Sequence, residues 1–187
     1  DETYGYLVYD GITRLSPLSL PQYRERVVLI SSLSKKYALT GWRVGWVTAC
    51  APLMAQIMKV HDATAICAPT PSQHAALAAL DVGSQWLADT RAALLKRRDL
   101  CCRRLEDLRD FFSFVPPQGA FYVLARYLFS QDDAQSVAYR ILREAKVITI
   151  PTSGFGVGGE GHLRLSFGGE EGEINEAFDR LDNWLRK

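Results

Sequence analysis

The stretch that decides the fold is residues 32–45, which read SLSKKYALTGWRVG and follow the apolar run VVLI at residues 27–30. An apolar run of this kind, rich in β-branched residues, is typical of a strand that is covered on both faces in a parallel sheet. Lys35 stands just past the end of this predicted strand. We therefore expect its side chain to be partly desolvated, which favours the neutral amine that imine formation requires.

Three other side chains of the same stretch are suited to bind a phosphate group. Ser32 and Ser34 offer hydroxyl donors, and Arg43 offers a planar guanidinium fork that matches phosphate oxygens. Taken alone, the stretch is also compatible with a solvent-exposed turn that carries two lysines, Lys35 and Lys36. The choice between these interpretations depends on the rest of the pattern.

Composition and charge exclude several classes of function. Apolar residues make up 48% of the chain and charged residues 23%, which is the balance of a soluble globular protein. The 22 basic and 21 acidic residues leave a net charge of +1, so no charge excess points to nucleic acid or to a membrane surface. No apolar stretch approaches the roughly 20 residues of a membrane span. His61, His74 and His162 share no ligand spacing, so no metal is implied. We expect a soluble, cytoplasmic protein with a small-molecule ligand.

Hydrophobic periodicity predicts an α/β chain followed by a smaller α+β domain. A long helix links the two parts, and its apolar stripe consists of Leu87, Leu94, Cys101, Leu105, Leu108 and Phe112. The predicted domains are residues 1–83, the connecting helix 84–112 and residues 113–187. We predict strands at residues 6–9, 27–30, 43–48, 120–124, 147–150 and 162–167, and helices at residues 53–60, 72–80, 84–112, 133–144 and 170–185.

A glycine-rich segment at residues 154–161 contains the spacing GxGxxG. A dinucleotide-binding loop with this spacing opens a helix, because the amino terminus of the helix meets the pyrophosphate. Here the segment leads into the predicted strand at residues 162–167. We therefore interpret it as a turn beside a site and not as a nucleotide-binding loop.

The complete pattern of residues 32–45 resembles the cofactor-lysine signature of the class I and II aminotransferases. That signature has a small residue, a hydrophobe, a small residue and lysine, and then an arginine that is followed by a hydrophobe and glycine. The resemblance implies that Lys35 forms the internal aldimine with pyridoxal 5'-phosphate. It also implies that Ser32, Ser34 and Arg43 bind the phosphate of this cofactor.

Two further clusters extend the resemblance. Asp1 and Tyr4, in the segment DETY, resemble the family's aspartate that pairs with the pyridinium nitrogen and its tyrosine that donates to the phenolic oxygen of the cofactor. A buried carboxylate keeps the ring nitrogen protonated, which makes the ring a better electron sink. Arg164, in the segment HLRLSF at residues 162–167, resembles the arginine that grips the substrate α-carboxylate.

The resemblance implies the fold type I of pyridoxal-phosphate enzymes, with a mostly parallel sheet in the large domain and a small α+β domain. The implied activity is transfer of an amino group between an amino acid and a 2-oxo acid, with Lys35 moving the α-proton. The resemblance covers nearly the whole chain and corresponds to the family's carboxyl-terminal half. We therefore expect a homodimer for the complete protein and no activity for these 187 residues alone.

Two alternative functions remain open at the level of the sequence. Lyases and synthases that act on amino acids share the same fold and cofactor. Some transcriptional regulators carry an aminotransferase-like effector domain behind a DNA-binding head, although their lysine segment lacks the TGWR run seen here at residues 40–43.

Overall fold

A computed structural model describes all residues from 1 to 187, and the chain divides into two units, Asp1–Arg91 and Ala92–Lys187. The first unit contains one small sheet and several helices. Short 3-10 segments precede this sheet and also lie between its strands. The regular elements are β1 (Leu29–Ser32), α1 (Leu33–Lys36), β2 (Gly45–Thr48), α2 (Ala51–Thr64), α3 (Thr70–Leu80) and α4 (Ser84–Asp107), and α4 continues into the second unit.

Strands β1 and β2 form a two-stranded antiparallel sheet in which Leu29 lies opposite Thr48 and Ser32 lies opposite Gly45. The prediction of a strand at residues 27–30 is thus confirmed with a shift of two residues. The expected cover on both faces is not formed within this chain, since Ile30 is 49% exposed and Trp46 is 44% exposed. The mostly parallel sheet implied for the large domain is accordingly not built by the strands of this chain, which pair antiparallel throughout.

The predicted strand at residues 6–9 is wrong. The backbone instead folds into successive turns, in which the amide of Gly5 donates to the carbonyl of Glu2 at 2.8 Å and the amide of Leu7 donates to that of Tyr4 at 2.9 Å. Leu7 and Tyr9 are nevertheless fully buried. Turns therefore account for most of this segment, and the only β pairing within residues 6–9 is an isolated bridge at Val8.

The helices of the first unit begin where their prolines allow. Pro52 lies in the first turn of α2 and Pro71 in the first turn of α3, where the missing N–H would have no partner within the helix. Helix α4 ends at Asp107, earlier than predicted. Phe112 is buried as its place in the apolar stripe predicts, but it starts a strand that pairs with Tyr127.

The second unit is an antiparallel sheet with helices. The sheet has the order β3-β4-β6-β5, and all its pairs are antiparallel. The remaining predicted elements are present, although the strand expected at residues 147–150 is reduced to a short pair of residues. The elements are β3 (Phe112–Phe114), β4 (Tyr122–Tyr127), α5 (Ala134–Glu144), β5 (Ile150–Pro151), β6 (His162–Ser166) and α6 (Glu171–Leu185).

Helices α5 and α6 begin at acidic caps. The Asp133 carboxylate accepts a hydrogen bond of 2.9 Å from the amide of Ser136, and Glu170 forms a reciprocal capping box with Glu173. These caps satisfy amide donors that have no partner in the first turn of a helix. The hydrogen bonds from Ser136 lower the pKa of Asp133.

The core of the second unit lies on one face of its sheet. Val123 and Ala125 of β4 and Leu163 of β6 are buried, whereas Leu124, on the opposite face, is 52% exposed. Successive strand residues point to opposite faces, so the alternation leaves one face of the sheet open. Arg164 lies across the ladder from Leu124 and therefore belongs to the open face. The buried helical residues of this core include Leu100, Leu105, Val137, Ile141, Ile174, Phe178 and Leu181.

The two faces of the sheet predict opposite responses to truncation. Leu163→Ala should lower the free energy of unfolding by about 2–5 kcal/mol, because it leaves a cavity in a packed core. Leu124→Ala, on the adjacent strand, should lower it by less than about 1 kcal/mol. Urea unfolding of both variants measures the difference, and equal losses would show that the open face is packed.

Candidate functional site

The turn between β1 and β2 holds four of the predicted site residues. Ser32 caps the single-turn helix α1, with its Oγ accepting a hydrogen bond of 3.0 Å from the amide of Ser34. The same hydroxyl lies 3.2 Å from the carbonyl oxygen of Val44 and 2.8 Å from the hydroxyl of Ser34. The two serine hydroxyls are therefore neighbours at the amino end of the turn that carries Lys35.

The far side of this turn is tied back to the same place. The Thr40 hydroxyl donates to the carbonyl of Ser34 at 2.8 Å, and Nη1 of Arg43 donates to the carbonyl of Thr40 at 2.9 Å. Arg43 adopts a left-handed backbone with φ of 52° and its side chain is exposed. The structure thus places Ser32, Ser34 and Arg43 in one bonded turn.

Close contact between the two strands fixes the ends of the turn. A Cβ at Gly45 would lie 2.5 Å from the carbonyl oxygen of Ser31. Only glycine allows the backbones to approach in this way. Leu33, the first residue of α1, is 2% exposed. The signature glycine is therefore explained by strand pairing.

Lys35 lies in α1 and is partly buried. Its backbone carbonyl accepts a hydrogen bond of 2.8 Å from the hydroxyl of Tyr6, which comes from the segment after Tyr4. Burial raises the pKa of Tyr6 to about 12. Sequence reasoning missed Tyr6, because a contact across 29 positions has no local signal.

Asp1 and Tyr4 line a separate pocket of about 640 Å³, which neither Lys35 nor Arg43 lines. The carboxylate of Asp1 is exposed and accepts hydrogen bonds from the amide and the hydroxyl of Thr3, at 2.8 and 2.6 Å. Other residues on the pocket wall include Glu2 and Arg14, which form an ion pair, and Pro17, Val27 and Leu29. The structure therefore brings Asp1 and Tyr4 together but does not join them to the lysine turn in one cavity.

The first segment is nevertheless bonded to β1. The amide of Glu2 donates to the carbonyl of Ile30 at 2.8 Å. Together with the bond between Tyr6 and Lys35, it ties the chain on both sides of Tyr4 to residues 30–35.

Arg164 belongs to the second unit, where two aromatic rings hold its guanidinium. The guanidinium carbon lies 4.4 Å from the ring centre of Tyr122 and 4.9 Å from that of Phe155. These are cation–π distances. Tyr122 lies on the open face of β4, and Phe155 lies in the glycine-rich segment, which runs through 3-10 turns into β6. As the sequence predicts, the segment leads into a strand and not into an α-helix.

Two further properties of the chain concern helices that could cross a membrane and side-chain clusters that could hold a metal ion. No helix is both long and apolar enough to cross a membrane. No group of three or more histidine, cysteine or acidic side chains is placed to hold a metal ion.

Comparison with known proteins identifies the family. The sequence model of the family described as aminotransferase class I and II matches residues 1–181. The chain therefore belongs to the class I and II aminotransferases.

Individual relatives agree with this assignment. The chain is 33% identical to an aromatic-amino-acid aminotransferase of Thermococcus litoralis and 34% identical to an aspartate aminotransferase of Pyrococcus abyssi, in each case over 100% of this chain and 48% of the relative. It spans about half the length of the curated relatives it matches.

Solved structures confirm the fold class, that of a partial type I pyridoxal-phosphate transferase. An aromatic aminotransferase from Pyrococcus horikoshii OT3 superimposes with a TM-score of 0.91 at 32% identity, over 99% of this chain and 50% of that chain. An aspartate aminotransferase from Thermotoga maritima superimposes with a TM-score of 0.88 at 32% identity, over 100% of this chain and 47% of that chain.

The contact at Gly45 generates a prediction. Gly45→Ala should lower the free energy of unfolding by about 1–3 kcal/mol, because the added methyl group meets the backbone carbonyl of Ser31. Gly41→Ala is the matched control, since its Cβ would meet no atom within 4 Å. Denaturant titration of both variants measures the effect. Equal stability would mean that the two strands do not need their close approach.

Proposed function

We propose that the protein is a pyridoxal-phosphate-dependent aminotransferase that moves an amino group between an amino acid and a 2-oxo acid. The observation that carries the proposal is the turn between β1 and β2, which holds Lys35, the bonded pair of hydroxyls of Ser32 and Ser34, and Arg43. The names of the relatives favour amino transfer over the lyase or synthase and the regulator alternatives.

The donor groups of this turn fit the cofactor. Pyridoxal 5'-phosphate carries a phosphate, for which Ser32, Ser34 and Arg43 supply hydroxyl and guanidinium donors. It also carries an aldehyde, for which Lys35 supplies a primary amine. When bound, the cofactor supplies an electron sink for negative charge that develops at the substrate α-carbon.

Lys35 has two roles in this proposal. Its Nζ would hold the cofactor, because a primary amine can bond to the aldehyde carbon. With an amino acid bound, the same Nζ would be the general base that accepts the proton from the substrate α-carbon and the general acid that gives a proton up again. A base that is attached to a hydrogen-bonded turn stays close to the proton it moves, which is an advantage in effective concentration.

Asp1 and Tyr4 are assigned to the cofactor ring. The Asp1 carboxylate would accept a hydrogen bond from the protonated ring nitrogen, and the Tyr4 hydroxyl would donate to the phenolic oxygen. The present partners of Asp1 are the amide and hydroxyl of Thr3. A carboxylate has more than two acceptor sites, so these bonds leave room for a further donor.

Arg164 is assigned to the α-carboxylate of the substrate. A guanidinium that stacks on rings through its faces keeps its N–H edges for hydrogen bonds. The contacts with Tyr122 and Phe155 thus favour bidentate recognition of a carboxylate.

For the whole protein we propose the domain organisation and the assembly that are typical of its family. We propose that residues 1–83 contribute to a cofactor-binding large domain, that residues 84–112 form the connection and that residues 113–187 form a small domain. We further propose a homodimer in the cytoplasm. Size-exclusion chromatography with light scattering tests the dimer.

Covalent trapping tests the assignment of the lysine. Borohydride reduction of the full-length protein loaded with pyridoxal 5'-phosphate should place the label on Lys35, as peptide mapping reads directly. Lys35→Ala should abolish labelling and turnover, whereas Lys36→Arg should retain both. A label on Lys36 in the wild type would contradict the assignment.

The assignment of Arg164 predicts that its replacement impairs the use of the substrate and leaves cofactor affinity unchanged. Arg164→Ala should lower kcat/KM for amino acids. The corresponding loss of transition-state stabilisation should be about 2–4 kcal/mol, because a charge-assisted bidentate contact is lost. The affinity for pyridoxal 5'-phosphate should stay within about twofold of the wild type. Arg126→Ala, on the same open face, is the control, since Arg126 has no place in the site. Unchanged kcat/KM in Arg164→Ala would rule out the role.

A further inference from the structure

The lysine turn has backbone carbonyls that its own helix cannot satisfy. Helix α1 is a single turn, so its last carbonyls need partners from outside the helix. Side chains from elsewhere fulfil this need: the Thr40 hydroxyl donates to the carbonyl of Ser34, and the Tyr6 hydroxyl donates to that of Lys35, each at 2.8 Å. Tyr6 thus holds the backbone of the residue whose side chain carries the proposed chemistry.

The segment that supplies Tyr6 is itself firmly held. Its turns are closed by hydrogen bonds from the amide of Gly5 to the carbonyl of Glu2 and from the amide of Leu7 to the carbonyl of Tyr4. Leu7 is fully buried, and the amide of Glu2 is bonded to the carbonyl of Ile30 in β1. Residues 2–7 are therefore fixed at β1 and reach the lysine turn through the hydroxyl of Tyr6, and we call this segment the brace.

We propose that Tyr6 is a positioning residue that sets the Lys35 turn relative to the segment of Asp1 and Tyr4. This inference rests on the proposed function, in which Lys35 binds the cofactor at its aldehyde carbon and Asp1 and Tyr4 bind its ring. The ring of pyridoxal is rigid, so the two groups of residues must keep a set spacing to hold one molecule. The hydroxyl of Tyr6 supplies a direct link between them.

The Tyr6 hydroxyl remains a hydrogen-bond donor at neutral pH. Burial raises the pKa of this phenol to about 12, so it keeps its proton well above neutral pH. The folded state holds this proton more tightly than the unfolded state, whose phenol titrates near pH 10. The bond is therefore fully present below about pH 10 and weakens only as the pH rises towards 12.

Tyr6→Phe in the full-length protein removes the hydroxyl and keeps the ring. Tyr23→Phe is the matched control, because Tyr23 is 52% exposed and lies in the 3-10 segment Pro21–Arg26. Absorbance titration with pyridoxal 5'-phosphate should give a dissociation constant about 2- to 13-fold higher for Tyr6→Phe, the range that the loss of one hydrogen bond sets. The control should stay within about twofold of the wild type.

Two more measurements separate positioning from general stability. Hydrogen exchange of the cofactor-free protein should be faster at the amides of residues 35–37 in Tyr6→Phe and unchanged in the control. In steady-state assays kcat should fall about tenfold while KM for the amino acid stays within about twofold, because Arg164 binds the substrate carboxylate independently of Tyr6.

Different outcomes overturn different statements. A Tyr6→Phe protein that unfolds more easily but keeps the wild-type dissociation constant and wild-type exchange at residues 35–37 would reduce Tyr6 to a stabilising contact and overturn the inference. A wild-type protein that takes up no pyridoxal 5'-phosphate would instead overturn the proposed function, and the inference with it. Binding by the wild type together with weakened binding by Tyr6→Phe supports both.

Discussion

The antiparallel pairing of β1 with β2 is the interaction on which the rest of the first unit depends. Ser32 lies opposite Gly45, and the absence of a side chain at Gly45 lets its backbone approach the carbonyl of Ser31. The pairing brings the two ends of the lysine turn together. The hydrogen bonds inside the turn, from the cap at Ser32 to the bond between Arg43 and Thr40, join residues that lie between the two paired strand ends.

Much of the fold could be predicted from the sequence, because local signals determine helices well. The helices predicted at residues 72–80, 133–144 and 170–185 agree closely with α3, α5 and α6, since prolines and acidic caps mark their starts. The strand predicted at residues 6–9 failed because a short run of apolar residues is equally compatible with buried turns. The residues that pair with β1 could not be predicted either. A continuous apolar run indicates that the side chains of a strand are buried, but it does not indicate which strand forms the backbone hydrogen bonds.

The candidate site shows the same division between local and long-range information. The positions of Lys35, Ser32, Ser34 and Arg43 follow from a spacing within one stretch, and the structure places them in one turn. Tyr6 and the aromatic partners of Arg164 carry no such signal. Tyr122 meets Arg164 through the register of β4 with β6, and Phe155 meets it through the path of a glycine-rich segment. Register is a property of the folded sheet, and no pattern in either strand alone specifies it.

The backbone of Arg43 places stability and function in opposition. With φ of 52° it occupies the left-handed region, which costs a residue with a Cβ roughly 1 kcal/mol or more relative to glycine. Glycine at this position would relieve that strain and would at the same time delete the guanidinium assigned to the cofactor phosphate. A library of variants selected for thermal resistance alone would therefore drift towards glycine at position 43, whereas a library selected for turnover would retain arginine. Such divergence between two selections marks a residue that is kept for its chemistry and against the preference of its own backbone.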